Sequence, residues 1–313
     1  MAVIDVGTNS ARLLVADVEG GRVSPLERRS TVTRLGRGVD LTGRLSTEAI
    51  EDACAAIEPY VRAVEELGAE TVEVVATSAV RDAGNGSAFV AELRERFALS
   101  PRVLDGEEEA RLTYLGASSE QAPTEPTLVV DIGGGSTELI VGTGDEISFH
   151  TSMQAGVVRH SERHIASDPP TAVELEALAT DIRGLIEEAV PPATTAKTGI
   201  AVAGTPNSLA AIDLGLEPYD PQRVQGYVLT LPAIQRMLSQ LASAPLSERV
   251  EIPGMHPDRA PTIVAGVVIL VETMRAFDLD QVQASEHDIL YGAAISAADQ
   301  SGFVRTPSPN GDE

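Results

Sequence analysis

The sequence has no tryptophan, one cysteine and one lysine, and aromatic residues make up 3% of its 313 positions. The hydrophobic cores must therefore be built from Val, Leu, Ile and Ala. The single cysteine, Cys54, cannot form an internal disulfide, which favours a reducing cytoplasm as the compartment. The longest apolar run, residues 263–271, has nine residues and is too short to cross a bilayer, so no membrane partner is expected.

Positive charge is also scarce, because the formal net charge is −24 at pH 7. Such a charge repels duplex nucleic acid and excludes it as an expected partner. Residues 1–44 differ, with seven arginines against five acidic residues, so a local binding site for an anion is compatible with the composition. Arginine suits bidentate contact with phosphate, although a high ratio of Arg to Lys can also follow from genome composition alone.

The most distinctive stretch, residues 128–141, reads as a buried strand, a tight turn of three glycines and a second strand. Consecutive glycines cost backbone entropy on folding, and we expect Gly133, Gly134 and Gly135 to serve a close approach to an anion and to have no packing role. Asp131 precedes the turn and Glu138 follows it. Carboxylates beside an anion-binding turn indicate a hard divalent cation. The alternative is a plain glycine-rich hairpin.

The N-terminal stretch repeats this layout. In residues 2–18 an apolar strand carrying Asp5 ends at a small polar turn, residues 7–10, and a second apolar strand follows. Two such units about 125 residues apart indicate an internal duplication, and two phosphate-binding turns imply a cleft between two similar domains. A third turn, residues 203–208, ends a short strand and opens a helix, which is another way to bind phosphate, although Pro206 removes one N–H donor.

The length allows two domains, and the Pro-containing segment 117–126 has no apolar run and is expected to join them. We therefore predict domain I at residues 1–118, domain II at residues 119–301 and a disordered tail at residues 302–313. Hydrophobic periodicity predicts, among other elements, a long helix near residues 47–67, a loop at 77–86, a helix at 107–116 and a buried helix at 258–277.

The two turns carry a resemblance to a known family. Asp5-Val-Gly-Thr-Asn-Ser10 paired with Asp131-Ile-Gly-Gly-Gly-Ser-Thr-Glu138 resembles the actin-like ATPase superfamily and, within it, the exopolyphosphatase/guanosine pentaphosphate phosphohydrolase (Ppx/GppA) family in its short, two-domain form. Three further segments match that family in order, and the resemblance runs from residue 2 to about residue 296. The segments are Val32-Thr-Arg34-Leu-Gly36-Arg-Gly38, Ala76-Thr-Ser-Ala-Val-Arg81 and Gly106-Glu-Glu-Glu109-Ala-Arg-Leu.

The resemblance implies an α/β fold of two actin-like (ribonuclease H-like) domains with a cleft between them. It implies that Glu109, directly before Ala110-Arg111-Leu112, is the base that activates water. The residues expected to bind phosphate are Gly7, Thr8, Asn9, Ser10, Arg34, Arg81, Gly133, Gly134, Gly135, Ser136, Thr137 and Gly204. Those expected to bind Mg²⁺ or Mn²⁺ are Asp5, Asp131 and Glu138.

Several residues have simpler alternative roles. Helix capping explains Glu107 and Glu108, and without the resemblance it would explain Glu109 as well. Arg81 could be a solvated surface residue. His160 and His164 have the i,i+4 spacing of a metal-binding pair, but the sequence offers no third ligand and the helix is expected on the surface, so the pair is interpreted as incidental. The closing segment 285–292 departs from the family, with Leu290-Tyr291 where an Arg-Glu pair is common.

Three functions are compatible with these features. The preferred one is an exopolyphosphatase that releases orthophosphate from the ends of inorganic polyphosphate. The second is removal of the 5′ terminal phosphate of guanosine pentaphosphate (pppGpp). The third, from a different class, is an ATP-dependent kinase or a nucleotide-gated binding protein of the actin-like superfamily. A homodimer is compatible with each of them.

Overall fold

The computed structural model describes residues 1–300, so the predicted tail at residues 302–313 lies outside the described residues. Strands and helices follow one another in two runs that each begin with a three-stranded antiparallel segment. The strands are β1 Ala2–Val6, β2 Ser10–Glu19, β3 Arg22–Val32, β4 Val72–Ala76, β5 Arg102–Val103, β6 Thr127–Ile132, β7 Thr137–Thr143, β8 Glu146–Met153, β9 Thr198–Val202, β10 Val228–Thr230 and β11 Gln281–Ser285.

The helices of residues 1–300 range from single turns to 20 residues. They are α1 Val39–Thr42, α2 Thr47–Glu66, α3 Ser78–Asp82, α4 Gly86–Phe97, α5 Gly106–Ala117, α6 Val157–His164, α7 Ala172–Ala189, α8 Gly204–Leu214, α9 Pro221–Val224, α10 Leu231–Ser243, α11 Leu246–Arg249, α12 Ile263–Ala276 and α13 Ile289–Gln300. None of these helices is long and apolar enough to pass through a membrane.

The two sheets share one plan. The first has the order β3-β2-β1-β4-β5, in which β1 pairs antiparallel with β2 and parallel with β4. The second has the order β10-β11-β9-β6-β7-β8, in which β6 pairs antiparallel with β7 and parallel with β9. The duplicated strand–turn–strand motif therefore forms two adjacent interior strands of each sheet, β1–β2 in one and β6–β7 in the other. This agrees with the predicted α/β class.

Each sheet has its own hydrophobic core, built mainly from aliphatic side chains as the composition requires. The first core packs β1 and β2 against α2, whose N-terminus is capped by the Ser46 hydroxyl accepting from the Ala49 N–H. The second core surrounds α12, which is buried on almost every side, as predicted. Aliphatic side chains therefore make up most of both cores, and a few aromatic residues such as Tyr60 and Phe89 add to the first.

The last helix returns to the first half. α13 packs against α5 and β2, and the two helices cross where both carry glycine. A Cβ at Gly116 would lie 1.9 Å from the Asp288 carbonyl oxygen, and one at Gly292 would lie 1.8 Å from that of Leu112. Only glycine allows this close crossing, so residues near the C-terminus reach the first sheet.

Two predicted elements are wrong. Residues 77–86 are not a loop throughout, because Ser78–Asp82 forms the one-turn helix α3 that carries Arg81. The apolar helix begins at Ile263 rather than near residue 258, since Pro257 and Pro261 interrupt the preceding chain and residues 257–262 form turns.

Candidate active site

The two glycine turns meet face to face. A Cβ on Gly134 would lie 2.9 Å from both the Asn9 nitrogen and the Thr8 Cβ, and one on Gly135 would lie 2.3 Å from the Ser78 Oγ. The prediction that these glycines have no packing role is therefore wrong, because they let two turns from different sheets approach each other. Both turns line a single cleft, whose walls also include Thr77 and Ile289.

Most of the predicted site residues line this cleft. They are Asp5, Gly7, Thr8, Asn9, Ser10, Glu109, Asp131, Gly133, Gly134, Gly135, Ser136, Glu138 and Gly204. Arg34 does not line it, since its side chain is exposed while its N–H donates to the Asn9 carbonyl oxygen at 3.0 Å. Thr137 is wholly buried and its hydroxyl donates to the Ala155 carbonyl oxygen. Arg34 and Thr137 thus support the turns from outside the cleft.

Asp131 and Glu138 are directly opposite each other in the β6–β7 pair. Directly opposite residues of an antiparallel pair project from the same face, so both carboxylates enter the cleft together. Their side chains are buried, and Glu138 Oε1 accepts from the Ser152 hydroxyl at 2.7 Å. The Thr113 hydroxyl lies 3.4 Å from Asp131 Oδ2. Two carboxylates converging in this way supply the oxygen donors that a hard divalent cation prefers.

The corresponding pair in the first sheet has opposite charges. Asp5 is opposite Arg12 in the β1–β2 pair, and both the Nε and Nη2 of Arg12 donate to Asp5 Oδ2, at 2.9 and 2.6 Å. Arg12 also pairs with Asp288, which precedes α13. The other oxygen, Asp5 Oδ1, is buried and has no hydrogen-bond partner in the described residues. Asp5 therefore has one oxygen committed to Arg12 and one left for a further partner.

Burial makes the carboxylates of this site hard to ionise. Loss of solvation, reinforced by the neighbouring acids, raises the pKa of Glu109 and of Asp131 to about 7 each. The same causes raise the pKa of Glu138 well above its usual range. Burial also raises the pKa of Asp5, although Arg12 opposes it. These raised pKa values reflect the cost of placing several carboxylates together in a buried site, a cost that a bound cation relieves.

Glu109 is the one member of the acidic triplet that faces the cleft. It is 6% exposed, whereas Glu107 is exposed and Glu108 pairs with Arg102. Glu107 and Glu108 lie in the first turn of α5, where their charge favours the helix as expected, and the side chain that caps the helix by a hydrogen bond is that of Asp105, which accepts from the Glu108 N–H at 2.8 Å. The helix therefore directs one carboxylate inward without using it as a cap.

Arg81 contacts Glu109 and does not line the cleft. Its Nη1 donates to Glu109 Oε2 at 2.8 Å and to the Leu104 carbonyl oxygen at 2.9 Å. A guanidinium held by the short helix α3 therefore fixes the orientation of the Glu109 carboxylate. Contact of Arg81 with phosphate stays a prediction, and what the structure shows is its contact with the predicted base.

Beside the third turn lies a cation that the sequence did not indicate, Arg259. Ala203 and Gly204 line the cleft at the start of α8, and Ala203 has φ 74° and ψ −166°, a region used almost only by glycine. Arg259 packs against Gly204, where a Cβ would lie 2.6 Å from its Nη1. Burial lowers the pKa of Arg259 to about 10, so it remains charged near pH 7. Within residues 1–300 it makes no salt bridge, which leaves its charge available to an anion.

Arg159 of α6 connects the glycine turn to the first half. Its Nε donates to the Gly135 carbonyl oxygen at 2.8 Å, its Nη2 donates to Asp82 at 3.0 Å, and its Nη1 pairs with Asp40. The Gly135 carbonyl and the Ser136 N–H belong to one planar peptide group and point in opposite directions. Holding the carbonyl therefore fixes the direction of the N–H, which makes Arg159 a positioning residue for the turn.

Replacing Arg159 by Gln should lower kcat roughly 10- to 100-fold, because displacing a binding group by about 1 Å can have effects of that size. The matched control is Arg62→Gln, since Arg62 is exposed on α2 and, among residues 1–300, forms its salt bridge with Glu58 of the same helix. Steady-state kinetics of both variants, with thermal unfolding as a check on folding, makes the comparison. Wild-type kcat in Arg159→Gln would refute the positioning role.

Similarity to known proteins extends over nearly the whole chain. A model of the Ppx/GppA phosphatase family matches residues 14–297. Exopolyphosphatase 2 of Mycobacterium tuberculosis is 36% identical, over 95% of this chain and 98% of that protein. A guanosine-5′-triphosphate,3′-diphosphate pyrophosphatase of Photobacterium profundum is 29% identical over 90% of this chain, which spans 56% of that longer protein.

Solved structures show the same architecture. The crystal structure of the Ppx/GppA family member of Aquifex aeolicus superimposes with a TM-score of 0.82 and 31% identity, covering 96% of this chain and 98% of that one. The predicted fold, two actin-like α/β domains, is thereby confirmed.

Proposed function

This chain belongs to the Ppx/GppA phosphatase family, and we propose that it is an exopolyphosphatase that hydrolyses the terminal phosphoanhydride of inorganic polyphosphate and releases orthophosphate. The observation that carries the proposal is the buried carboxylate of Glu109, which lies in a cleft between two glycine turns. Turns of this kind bind phosphate through N–H groups, and a carboxylate with a pKa near 7 is suited to accept a proton at neutral pH.

We assign Mg²⁺ or Mn²⁺ to the carboxylates of Asp5, Asp131 and Glu138, either directly or through water. The support is the donor set, which is all oxygen, together with the unpartnered Asp5 Oδ1 and the raised pKa values of Asp131 and Glu138, which a cation would lower. When bound, such a cation neutralises charge on the phosphoryl oxygens.

The protein's own groups account for the other parts of the reaction. The N–H groups of Gly7 and Gly133 donate to the Ser10 and Ser136 carbonyl oxygens. The remaining N–H groups of the two turns, with Arg259, hold the phosphoryl oxygens. Glu109, oriented by Arg81, removes a proton from a water molecule. The water oxygen forms a bond to the terminal phosphorus as the bridging P–O bond breaks, and the shortened chain leaves with the bonding electron pair. Orthophosphate carries the oxygen of the water.

We retain the domain limits 1–118 and 119–301 as a proposal, noting that α13 belongs to the second range in sequence and packs against the first sheet. A cytoplasmic location is likewise proposed, supported by Cys54, which is buried and free. A homodimer remains a proposal that light scattering would test.

The second candidate is hydrolysis of pppGpp. A pocket next to the cleft shares Arg12 and Arg259 with it and adds Asn207 and Tyr219, which could hold a nucleotide base by hydrogen bonding and stacking. The relative from Photobacterium profundum, named for a guanosine substrate, also favours this candidate.

The choice between the two candidate substrates is tested by measuring orthophosphate release at matched substrate concentrations with Mg²⁺. The substrates are short polyphosphate, long polyphosphate, pppGpp and ATP. We expect polyphosphate to have the highest kcat/KM and ATP the lowest. The Glu109→Gln variant, purified in parallel, reports any contaminating phosphatase. Faster release from pppGpp would favour the second candidate, and faster release from ATP would contradict both.

A further inference from the structure

Two histidines and an aspartate converge behind the glycine turn, outside the cleft. His160 and His164 lie one turn apart on α6, with their rings stacked at a centroid distance of 5.7 Å. Asp181 of α7 places its Oδ2 2.7 Å from His164 Nε2 and 3.5 Å from His160 Nε2. One potential ligand atom from each residue lies within 4.8 Å of the other two. These three residues form the His–His–Asp cluster.

The cluster removes the reasons for interpreting the histidine pair as incidental. That interpretation depended on the lack of a third ligand and on an exposed helix. The structure supplies Asp181 from the neighbouring helix, and His160 is completely buried. Only the packing of α6 on α7 brings the third residue into place.

His160 Nε2 is buried and has no hydrogen-bond partner within residues 1–300. Buried ring nitrogens normally have a partner, so this atom marks a position where one is missing. Burial lowers the pKa of His160 to about 4, which keeps the imidazole neutral near pH 7. A neutral imidazole is the form that binds metal ions.

We propose that the His–His–Asp cluster is a binding site for Zn²⁺ or a transition-metal ion of the same class, with a fourth position open to water. Two imidazoles and a carboxylate are ligands that Zn²⁺ takes at about 2.0–2.2 Å, and i,i+4 histidines on one helix face are a common way to present two of them. Mg²⁺ prefers oxygen donors and should not compete.

Two neighbouring contacts oppose metal binding and limit its affinity. Arg163 Nη1 lies 3.3 Å from Asp181 Oδ2, but the same guanidinium is also paired with Asp40 at 2.8 Å, which balances its charge. The Gly156 N–H donates to His160 Nδ1 at 3.3 Å. A metal on Nε2 moves the ring proton to Nδ1 and breaks this long hydrogen bond. The affinity should therefore be lower than that of a closed four-residue site.

The site also has a structural consequence for the cleft. The first turn of α6 braces the glycine turn, because the Val157 N–H donates to the Gly133 carbonyl oxygen at 3.0 Å and the Val158 N–H donates to that of Gly134 at 2.9 Å. A metal ion that ties α6 to α7 would stiffen this support. Binding should accordingly raise the midpoint of thermal unfolding.

The test uses tag-free, full-length protein stripped with a chelator and returned to saturating Mg²⁺, which occupies the cleft carboxylates. Calorimetric titration with Zn²⁺ alone should show one ion per chain. His164→Gln and Asp181→Asn should each weaken binding at least about 10-fold, whereas His256→Gln, at an exposed histidine outside the cluster, should not. His164 is chosen because the buried His160 is riskier for folding.

Co²⁺ provides a second measurement on the wild-type protein that needs no variant. Bound to the His–His–Asp cluster, it should produce the visible absorption of a four-coordinate Co²⁺ ion, and Zn²⁺ should remove it. Zn²⁺ binding of equal strength in the wild type, His164→Gln and Asp181→Asn would overturn the proposal. So would the absence of both Zn²⁺ binding and the Co²⁺ spectrum.

Discussion

Replacing Asp131 by Asn should lower turnover roughly 100-fold or more at a fixed Mg²⁺ concentration and raise the Mg²⁺ concentration needed for the half-maximal rate. The reason is that Asn keeps the size of the side chain and removes a charge that lies on the same strand face as Glu138. A metal ion contributes several kcal/mol of transition-state stabilisation in such sites, so weakening its binding has an effect of this order. Asp52→Asn, at an exposed position on α2, is the matched control.

The same carboxylates predict how Mg²⁺ affects stability. The pKa values of Glu109 and Asp131 are raised to about 7, so the folded protein binds these protons more tightly than the unfolded chain does. Without metal, their contribution to the free energy of unfolding is fully present below the ordinary carboxyl pKa values and is lost as the pH rises to about 7. Mg²⁺ competes with these protons, so it should raise the free energy of unfolding of the protein little at pH 5 and strongly at pH 8.

Thermal unfolding with and without Mg²⁺ at both pH values measures this effect. In Asp131→Asn the stabilisation at pH 8 should shrink, and in Asp52→Asn it should match the wild type. Full activity of the wild-type enzyme in excess chelator would refute the assignment of the cation to these carboxylates. An equal Mg²⁺ stabilisation at pH 5 and pH 8 would refute the competition with protons.

The glycine turns were predictable because each is a local feature. A strand, a turn and a second strand are contiguous in the sequence, and the seven-residue spacing from Asp131 to Glu138 places both on one face of a hairpin. The same spacing separates Asp5 from Arg12. That repeat was a signal for Arg12 that the sequence interpretation did not use.

Other site residues depend on tertiary packing and left no local signal. Asp288 reaches Arg12 only because α13 returns to the first half, across 276 positions of sequence. Arg259 lies in turns before α12, where neither periodicity nor a motif marks it. The sequence indicates Arg81 as a site residue but does not predict its contact with Glu109, because α3 is a one-turn helix and is too short for its periodicity to be recognised. Sequence thus indicated which turns form the cleft and missed most of the charge balance within it.

Glu109→Gln should lower turnover by roughly 10²–10⁴-fold, the usual effect of removing a positioned general base. Glu107→Gln should leave turnover close to that of the wild type. The helix rotates about 100° per residue, so Glu107 points about 200° away from Glu109, and the structure leaves Glu107 exposed while Glu109 is buried in the cleft. The comparison separates catalysis from the favourable charge that either glutamate provides at the start of α5.

Binding and pH dependence distinguish a base from a structural carboxylate. Since the glycine turns and Arg259 hold the phosphates, polyphosphate binding should persist or tighten in Glu109→Gln, because a negative charge leaves the cleft. Glu109 must be deprotonated to act, so wild-type kcat/KM should rise with pH through an apparent pKa at or below about 7. This apparent pKa should fall as the Mg²⁺ concentration is increased. In Glu109→Gln the rise of kcat/KM with pH should be lost. Comparable activity in both variants, or a larger loss from Glu107→Gln, would show that the base lies elsewhere.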